Sequence, residues 1–135
     1  MRAALLLCLA LVSLGLGGCA SLGGEGCPQG LKPATTAELY FGRNIGAKEG
    51  VSDADWQGFV DTEIAPRFPN GFTIIDANGA WRGTNGEIAH ERTKLVRIVV
   101  MGGDRSKLAA IRAAYGRRFR QESVLLVEAE GCAGF

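Results

Sequence analysis

The sequence contains a single histidine, His90, among its 135 residues. Histidine is the side chain used most often for general acid–base catalysis and for binding transition metals. The four cysteines are too far apart for a zinc site or a CxxC redox pair. The chain also lacks the GxSxG motif of hydrolases, the phosphate-binding P-loop and the GxGxxG motif of dinucleotide-binding proteins. We therefore predict no catalytic residue, no metal site and no cofactor.

An excess of charge of one sign is missing as well. The chain has 15 Lys and Arg residues against 14 Asp and Glu residues, which gives a formal net charge of +1. This value falls to about 0 when Arg2 is removed with the N-terminal segment described next. Sequence-independent binding to nucleic acid requires a cluster of positive charge that displaces counterions. We therefore predict no nucleic-acid partner.

Only the N-terminus carries an apolar run that approaches the length of a membrane helix. Arg2 precedes about 14 mainly apolar residues, whereas a helix that spans a bilayer needs about 20. The run ends with the sequence Leu-Gly-Gly-Cys at positions 16–19, which resembles the bacterial lipobox, where the cysteine is acylated before cleavage. We predict a lipoprotein signal peptide over residues 1–18 and lipidation of Cys19, with palmitate among the acyl chains. An ordinary secretory signal followed by an incidental cysteine is the alternative.

The segment after Cys19 indicates where the protein resides. More than one acyl chain on this cysteine would anchor the chain stably to a membrane. Ala20 follows, rather than Asp, which in the lipoprotein pattern indicates transfer to the outer membrane, although the inner membrane stays open. We therefore predict a lipid-anchored protein of the bacterial cell envelope that faces the periplasm. Residues 19–34 form the lipidated cysteine and a flexible linker rich in glycine, and residues 35–135 form the domain.

Two cysteines remain in the mature domain once Cys8 is removed with the signal and Cys19 is acylated. Cys27 and Cys132 lie near the two ends of the domain. An exported protein folds in a compartment where disulfides form and persist. We predict a structural disulfide between these two cysteines; two unpaired thiols are the alternative.

Hydrophobic periodicity predicts six main elements in the order β-α-β-β-α-β. Ser52 and Asp55 form a capping box at the start of the first helix, and Pro66 requires this helix to end at Ala65. Asp104 is expected to cap the second helix, which carries apolar side chains at helical spacing. The strands are expected at residues 36–42, 72–76, 88–101 and 123–129.

This order of elements is that of the ferredoxin-like fold. Right-handed crossovers would place both helices on one face of an antiparallel sheet. The dipeptides Asn78-Gly79 and Asn85-Gly86 are typical of tight hairpin turns, and they predict a small inserted hairpin with residues 80–84 as its returning ribbon. We therefore predict one α+β domain with a ferredoxin-like split β-α-β-β-α-β arrangement and an inserted hairpin.

The sheet face without helices is expected to mix apolar, aromatic and charged side chains. Strand alternation assigns to this open face the residues Glu38, Tyr40, Leu95, Arg97, Val99, Glu122, Val124, Leu126 and Glu128, and it assigns Leu125 and Val127 to the core. Such a mixed face suits contact with another protein surface. We predict a homodimer formed through this sheet face, with a solvated face as the alternative.

A cluster of polar and aromatic residues is the best candidate for a ligand site. The candidate ligand-binding residues are Tyr40, Arg43, Trp81, Glu91, Arg97 and Glu122, with Arg120 and Gln121 beside them. An arginine can hold an anionic group through two parallel hydrogen bonds, and Trp81 would cover the bound group. The alternative is that the Arg–Glu pairs only orient the strands.

Three segments of the domain resemble the signature blocks of a family of small exported bacterial proteins, the DUF3574 type. They are Glu-Leu-Tyr-Phe-Gly at 38–42, Arg-Phe-Pro-Asn-Gly-Phe-Thr at 67–73 and Arg-Phe-Arg-Gln-Glu-Ser-Val at 118–124. The similarity extends over about residues 36–127. The resemblance implies one exported α/β domain, and it implies no activity, substrate or catalytic residue.

These features together predict a membrane-anchored, non-catalytic binding or assembly module of the cell envelope. Its partner would be a second copy of itself or a periplasmic protein. The alternative function is a small enzyme or sensor that binds an anionic small molecule on the open sheet face. That function would depend on Tyr40, Arg43, Arg97 and Glu122.

Overall fold

Strands make up most of the secondary structure in the computed structural model, which describes residues 26–134. In chain order they are β1 (Lys32–Gly42), β2 (Asn44–Ile45), β3 (Lys48–Glu49), β4 (Thr73–Arg82), β5 (Ile88–Val100) and β6 (Leu125–Ala133). Four of them form an antiparallel sheet in the order β4-β5-β1-β6, and β2 pairs with β3 in a separate short hairpin. The predicted signal peptide and Cys19 lie outside the described residues.

Two helical segments connect the strands. Helix α1 (Asp53–Phe59) continues directly into a π-helical turn (Val60–Ile64), and α2 (Arg105–Phe119) precedes β6. The predicted capping box is confirmed: the Ser52 hydroxyl accepts a hydrogen bond from the Asp55 amide at 3.1 Å, and the Ser52 amide donates one to the Asp55 carboxylate at 3.2 Å. No helix among residues 26–134 has the length and apolar character needed to cross a membrane.

One face of the sheet packs against both helices and forms the core. Phe41 of β1 lies at the centre of an aromatic cluster, with its ring 5.2 Å from Trp56 of α1 and 4.8 Å from Tyr115 of α2. Buried side chains alternate along β1, as expected for a strand with one covered face. The ferredoxin-like α+β architecture predicted from the order of elements is confirmed.

The small hairpin lies at a different place from the one predicted. β4 continues through Asn78-Gly79, where these residues pair with Arg92 and Glu91 of β5, and it ends at Arg82. Residues 80–82 of the predicted ribbon therefore belong to a main strand, and the turn is made by the second dipeptide, Asn85-Gly86. The inserted hairpin is instead β2–β3, in the loop after β1. Pairing with the long strand β5 outweighs the local turn preference of Asn-Gly.

The two faces of the last strand are also the reverse of those predicted. Val124 is buried and Leu126 packs against the core, whereas Leu125 and Val127 are 57% and 44% exposed on the open face. The register explains this orientation, since Leu125 pairs with Tyr40, which also points away from the helices. The run 124–127 is apolar throughout, so its alternation could not be read from the sequence.

A disulfide joins the two ends of the domain, as predicted. Cys27 and Cys132 are bonded, with Cα atoms 5.7 Å apart across a sequence separation of 105 residues. The bond lies beside the outer end of the β1–β6 pairing, where Pro33 is opposite Cys132. Because β1 begins at Lys32, residues 32–34 of the predicted linker belong to the strand.

Candidate functional site

Small residues leave a depression at one end of the open sheet face. Ala77, Thr93 and Gly42 lie side by side on β4, β5 and β1, and Gly79 lies opposite Glu91 in the next row. A Cβ atom on Gly42 would clash with the Glu91 carboxylate, and one on Gly79 would lie 2.9 Å from the Thr93 hydroxyl. The absence of these side chains opens a cavity of about 280 Å³, called here the open-face pocket.

Larger side chains surround this floor. The residues that define the open-face pocket are Tyr40, Gly42, Ala77, Gly79, Trp81, Glu91, Thr93, Gln121, Glu122 and Leu125. Trp81 lies near the end of β4 with 41% of its surface exposed, so its ring forms part of the rim. The pocket therefore combines an apolar floor with aromatic and polar walls.

The loop between α2 and β6 reaches the pocket because α2 ends abruptly. Arg120 adopts a left-handed conformation, with φ 53°, and caps the helix. This turn brings Gln121 next to the β1–β2 connection, where its side-chain amide donates to the carbonyl of Asn44. Residues 121–123 thus become one wall of the pocket.

Glu91 is held in place by the backbone. Its carboxylate accepts a hydrogen bond from the amide of Asn44 at 3.1 Å. It also lies directly over Gly42, the last residue of β1. These contacts fix the carboxylate in the pocket wall, next to Gly42 of the floor.

The charge of the pocket is negative. Glu91 and Glu122 contribute carboxylates, and no Lys or Arg side chain lines the pocket among residues 26–134. A carboxylate stabilises a cation and repels an anion in the same position. The pocket therefore suits a neutral or cationic ligand better than the anionic one considered from the sequence.

Arg43 lies on the opposite side of the sheet end and does not line this pocket. Its side chain is 1% exposed, and its Nε and Nη2 atoms donate to the carbonyl of Val51 at 2.9 and 2.6 Å. Its guanidinium also forms ion pairs with Glu49 at 3.1 Å and with Asp53 at 2.8 Å. Arg43 thus ties the β2–β3 hairpin to the start of α1.

Arg97 lies on the open face but does not line the pocket. It is two residues farther along β5 than Leu95, which is the residue opposite Tyr40. It forms an ion pair with Glu38, which also accepts a hydrogen bond from the Tyr40 hydroxyl at 2.8 Å. These contacts lower the pKa of Glu38, with the bond from Tyr40 as the larger cause and the bond from Arg97 next. The same bond to Glu38 raises the pKa of Tyr40.

Of the six candidate residues, the structure brings four together. Tyr40, Trp81, Glu91 and Glu122 line the open-face pocket, whereas Arg43 and Arg97 do not. Sequence reasoning missed the floor, which consists of Gly42, Ala77, Gly79 and Thr93. Ala77 and Gly79 are two residues apart on one strand, and this spacing of small side chains was the available signal.

A second groove lies at the opposite end of the sheet. It has a volume of about 480 Å³ and includes Arg67, Arg97 and Lys107 among its lining residues. Each of these cations already has an acidic partner: Arg67 pairs with Glu63, Arg97 with Glu38 and Lys107 with Asp104. Within residues 26–134, no group of three or more His, Cys, Asp or Glu side chains could hold a metal ion.

Comparisons with known proteins agree with the fold. The family model DUF3574, described as a protein of unknown function, matches residues 36–135. No curated protein matches the sequence. A solved structure of a phage SAM lyase in complex with S-methyl-5′-thioadenosine is similar, with a TM-score of 0.60 and 17% identity over 83% of this chain and 95% of the lyase chain. The phage SAM lyase in its apo state has a TM-score of 0.57 and 18% identity over 76% and 90% of the two chains. This likeness shows a shared fold.

Proposed function

Since the chain belongs to DUF3574, a family of proteins of unknown function, we propose its function from its own geometry. We propose that the protein is a lipid-anchored binding module of the bacterial envelope. Its domain binds a small neutral or cationic molecule with a planar ring in the open-face pocket. The observation that carries this proposal is a concave site with aromatic walls, two carboxylates and no lining cation.

The walls of the pocket favour this class of ligand. The Trp81 and Tyr40 rings offer faces on which a planar ring can stack. A cation near an aromatic face and a carboxylate is stabilised by both. The volume of about 280 Å³ lies near the lower end of the range for small-molecule sites, so the ligand is small.

The fold offers a specific probe of this type. The similar lyase structure holds S-methyl-5′-thioadenosine, which is a neutral molecule with a planar adenine ring. S-adenosylmethionine carries the same nucleoside and adds a sulfonium cation and an amino acid group with one ammonium and one carboxylate, so its net charge is +1. Together these two compounds compare a neutral ligand with a larger, net positive ligand that carries the same ring.

The proposed anchor keeps the domain close to the membrane. Cys19 and Cys27 are separated by eight residue steps, and a fully extended chain of that length spans about 27 Å. The disulfide to Cys132 then holds Cys27 against the folded sheet. The disulfide end of the sheet would therefore lie within about 27 Å of the bilayer surface.

The binding test uses isothermal titration calorimetry of the purified protein with each of the two probes. We expect both to bind, with S-adenosylmethionine tighter because Glu91 and Glu122 attract its cation. Glu91→Gln should weaken S-adenosylmethionine about tenfold, a change of about 1.4 kcal/mol, with less effect on S-methyl-5′-thioadenosine. Trp81→Ala should weaken both.

Gly131→Ala is the matched control, because a Cβ atom there meets nothing within 4 Å and the residue lies outside the pocket. Its affinities should equal those of the wild type. Equal binding of the wild type and Trp81→Ala would show that neither probe occupies the pocket. Consumption of S-adenosylmethionine during the titration would identify the protein as an enzyme rather than a non-catalytic module.

A further inference from the structure

An apolar patch lies beside the open-face pocket on the same face of the sheet. Val99 of β5 is 39% exposed, and Ile75 of β4 is 41% exposed. Leu125 and Val127 of β6 are exposed to an even greater extent. These four residues form what is called here the open-face patch. Apolar side chains that are exposed together, rather than singly, are typical of an interaction surface.

The strand register places the four apolar residues around a central charged pair. Glu38 of β1 pairs with Arg97 of β5 on one side and with Val127 of β6 on the other. In the neighbouring row, Tyr40 lies between Leu95 and Leu125 in the same way. The charged pair Glu38–Arg97 therefore lies in the middle of the face, with exposed apolar residues on both sides.

This arrangement is complementary to itself. In an interface with two-fold symmetry, the same patch of each copy contacts the other. Each positive group of the patch must therefore lie opposite a negative group of the identical patch. The patch carries one positive and one negative group, so the Arg97 of one copy can face the Glu38 of the other. Arg97 directs Nε and Nη2 to its own Glu38, and a guanidinium has five donors, so donors remain for a second carboxylate.

The size of the face is sufficient for a second copy. Four strands about 4.8 Å apart, paired over eight residues of about 3.4 Å each, cover about 500 Å² on each copy. Two such faces bury about 1,000 Å², which is the lower limit for a specific protein interface. Within residues 26–134 both helices cover the opposite face and leave this one uncovered.

We infer that the open sheet face is the interface between two copies of this chain. The second copy covers the open-face patch and closes the open-face pocket along the side formed by Leu125 and Tyr40. Two lipid anchors on one dimer would then tether both domains to the same membrane. The interface does not depend on the identity of the ligand.

Photo-crosslinking in intact cells tests the interface with the full-length chain. The photoreactive residue p-benzoylphenylalanine replaces Val127 in one variant and Ala113, which is exposed on α2, in the control. We expect ultraviolet light to give a band of twice the mass from the Val127 position, with peptides of this chain alone. The Ala113 position should give no such band.

A charged substitution provides the second arm. With the photoreactive residue placed at Leu125, Val127→Glu should lower the dimer band about tenfold, because an unpaired charge is costly to bury. Ala113→Glu should leave the band unchanged. Near-ultraviolet circular dichroism of the purified variants verifies that both are folded.

The outcomes distinguish this inference from the proposed function. A crosslink from Val127 to a different protein, or equal dimer bands from both positions, would overturn the interface between copies. So would the absence of any crosslink from Val127. A wild-type chain that forms no dimer but binds the probes would contradict the interface alone, and a dimer that binds neither probe would contradict the binding function alone.

Discussion

Arg43 carries a full charge in the interior, and its neighbours explain how the fold tolerates it. Removing a guanidinium from water is costly unless ion pairs and hydrogen bonds replace the lost hydration. The Val51 carbonyl accepts two of its donors, and Glu49 provides an acidic partner. Nη1 of Arg43 forms an ion pair with the Asp53 carboxylate at 2.8 Å, but the angles of this contact are not those of a hydrogen bond. Both acids are partly exposed, so they retain some of their own hydration.

Substitution of Arg43 should therefore destabilise the domain. Arg43→Met leaves the Val51 carbonyl without its donors, and we expect it to lower the free energy of unfolding by about 3 kcal/mol. Arg43→Lys keeps the charge but not the planar fork, and it should cost about half as much. Urea unfolding with the disulfide intact measures both values. Arg117→Met, at an exposed position of α2, is the control and should change stability by about 0.5 kcal/mol or less. Equal losses from Arg43→Met and Arg117→Met would contradict the structural role.

Single residues also show what could be predicted about the site. The chemistry of Tyr40, Trp81, Glu91 and Glu122 makes them candidates, and they meet because the sheet order β4-β5-β1-β6 brings their segments together. Arg43 was chosen on the same grounds and lies elsewhere. An arginine is almost always exposed, and its burial follows from a junction of the β2–β3 hairpin with α1. No local pattern in the sequence marks that junction.

At the level of whole elements, a capping box formed by Ser52 and Asp55 stabilises the start of α1. The Ser52 hydroxyl and amide both hydrogen bond to Asp55 and satisfy amide groups that the helix leaves free. These bonds favour the charged carboxylate. The bond from the Ser52 side chain is the larger cause, and the bond from the Ser52 backbone is next; together they lower the pKa of Asp55.

This pair predicts a stability change that depends on pH. Ser52→Ala should lower the free energy of unfolding by about 1 kcal/mol at pH 7. Because the folded-state pKa of Asp55 lies below its ordinary value of about 3.9, the stabilisation is complete above that pH and is lost as the pH falls through the folded pKa. The difference between wild type and Ser52→Ala should therefore shrink as the pH falls below about 4. Urea unfolding across this range measures the difference.

Ser106→Ala provides the matched control, since Ser106 is exposed in the first turn of α2. Its effect should be about 0.5 kcal/mol or less at each pH. A loss for Ser52→Ala that stays constant down to pH 2 would mean that the charge of Asp55 does not contribute to the cap.

The elements differ in how far the sequence alone determines them. The start of α1 follows from neighbouring residues, and so does the end of the helical segment, where Ala65 caps the π-helical turn as predicted. The strand that continues through Asn78-Gly79 depends instead on pairing with distant residues of β5. The face of β6 was misassigned because an apolar run without alternation fits either orientation. In both cases a long-range contact decides what the local pattern leaves open.

On the scale of the whole molecule, the disulfide and the pocket lie at opposite ends of the sheet. Cys27 precedes β1, and Gly42, at the far end of the same strand, forms part of the pocket floor. The 11 residues of β1 at about 3.4 Å each separate the two ends by roughly 35 Å. The disulfide joins two cysteines that are 105 residues apart in the sequence. Closing a loop of that many residues contributes about 4–5 kcal/mol to stability on the chain-entropy model. If the chain is tethered through Cys19, the pocket is presented on the side away from the membrane.

The anchor itself is tested by metabolic labelling of growing cells with an alkyne analogue of palmitate. In the lipoprotein pathway, acylation of the cysteine precedes removal of the signal, so wild type should be labelled and Cys19→Ser should be unlabelled and keep its leader. Cys8→Ser is the matched control, because this cysteine lies in the apolar part of the signal and should not affect labelling. The mass of the mature N-terminal peptide verifies the site. A wild-type chain without label, or a Cys19→Ser chain whose leader is trimmed normally, would contradict the anchor. The binding pocket would then belong to a domain that is not anchored through Cys19.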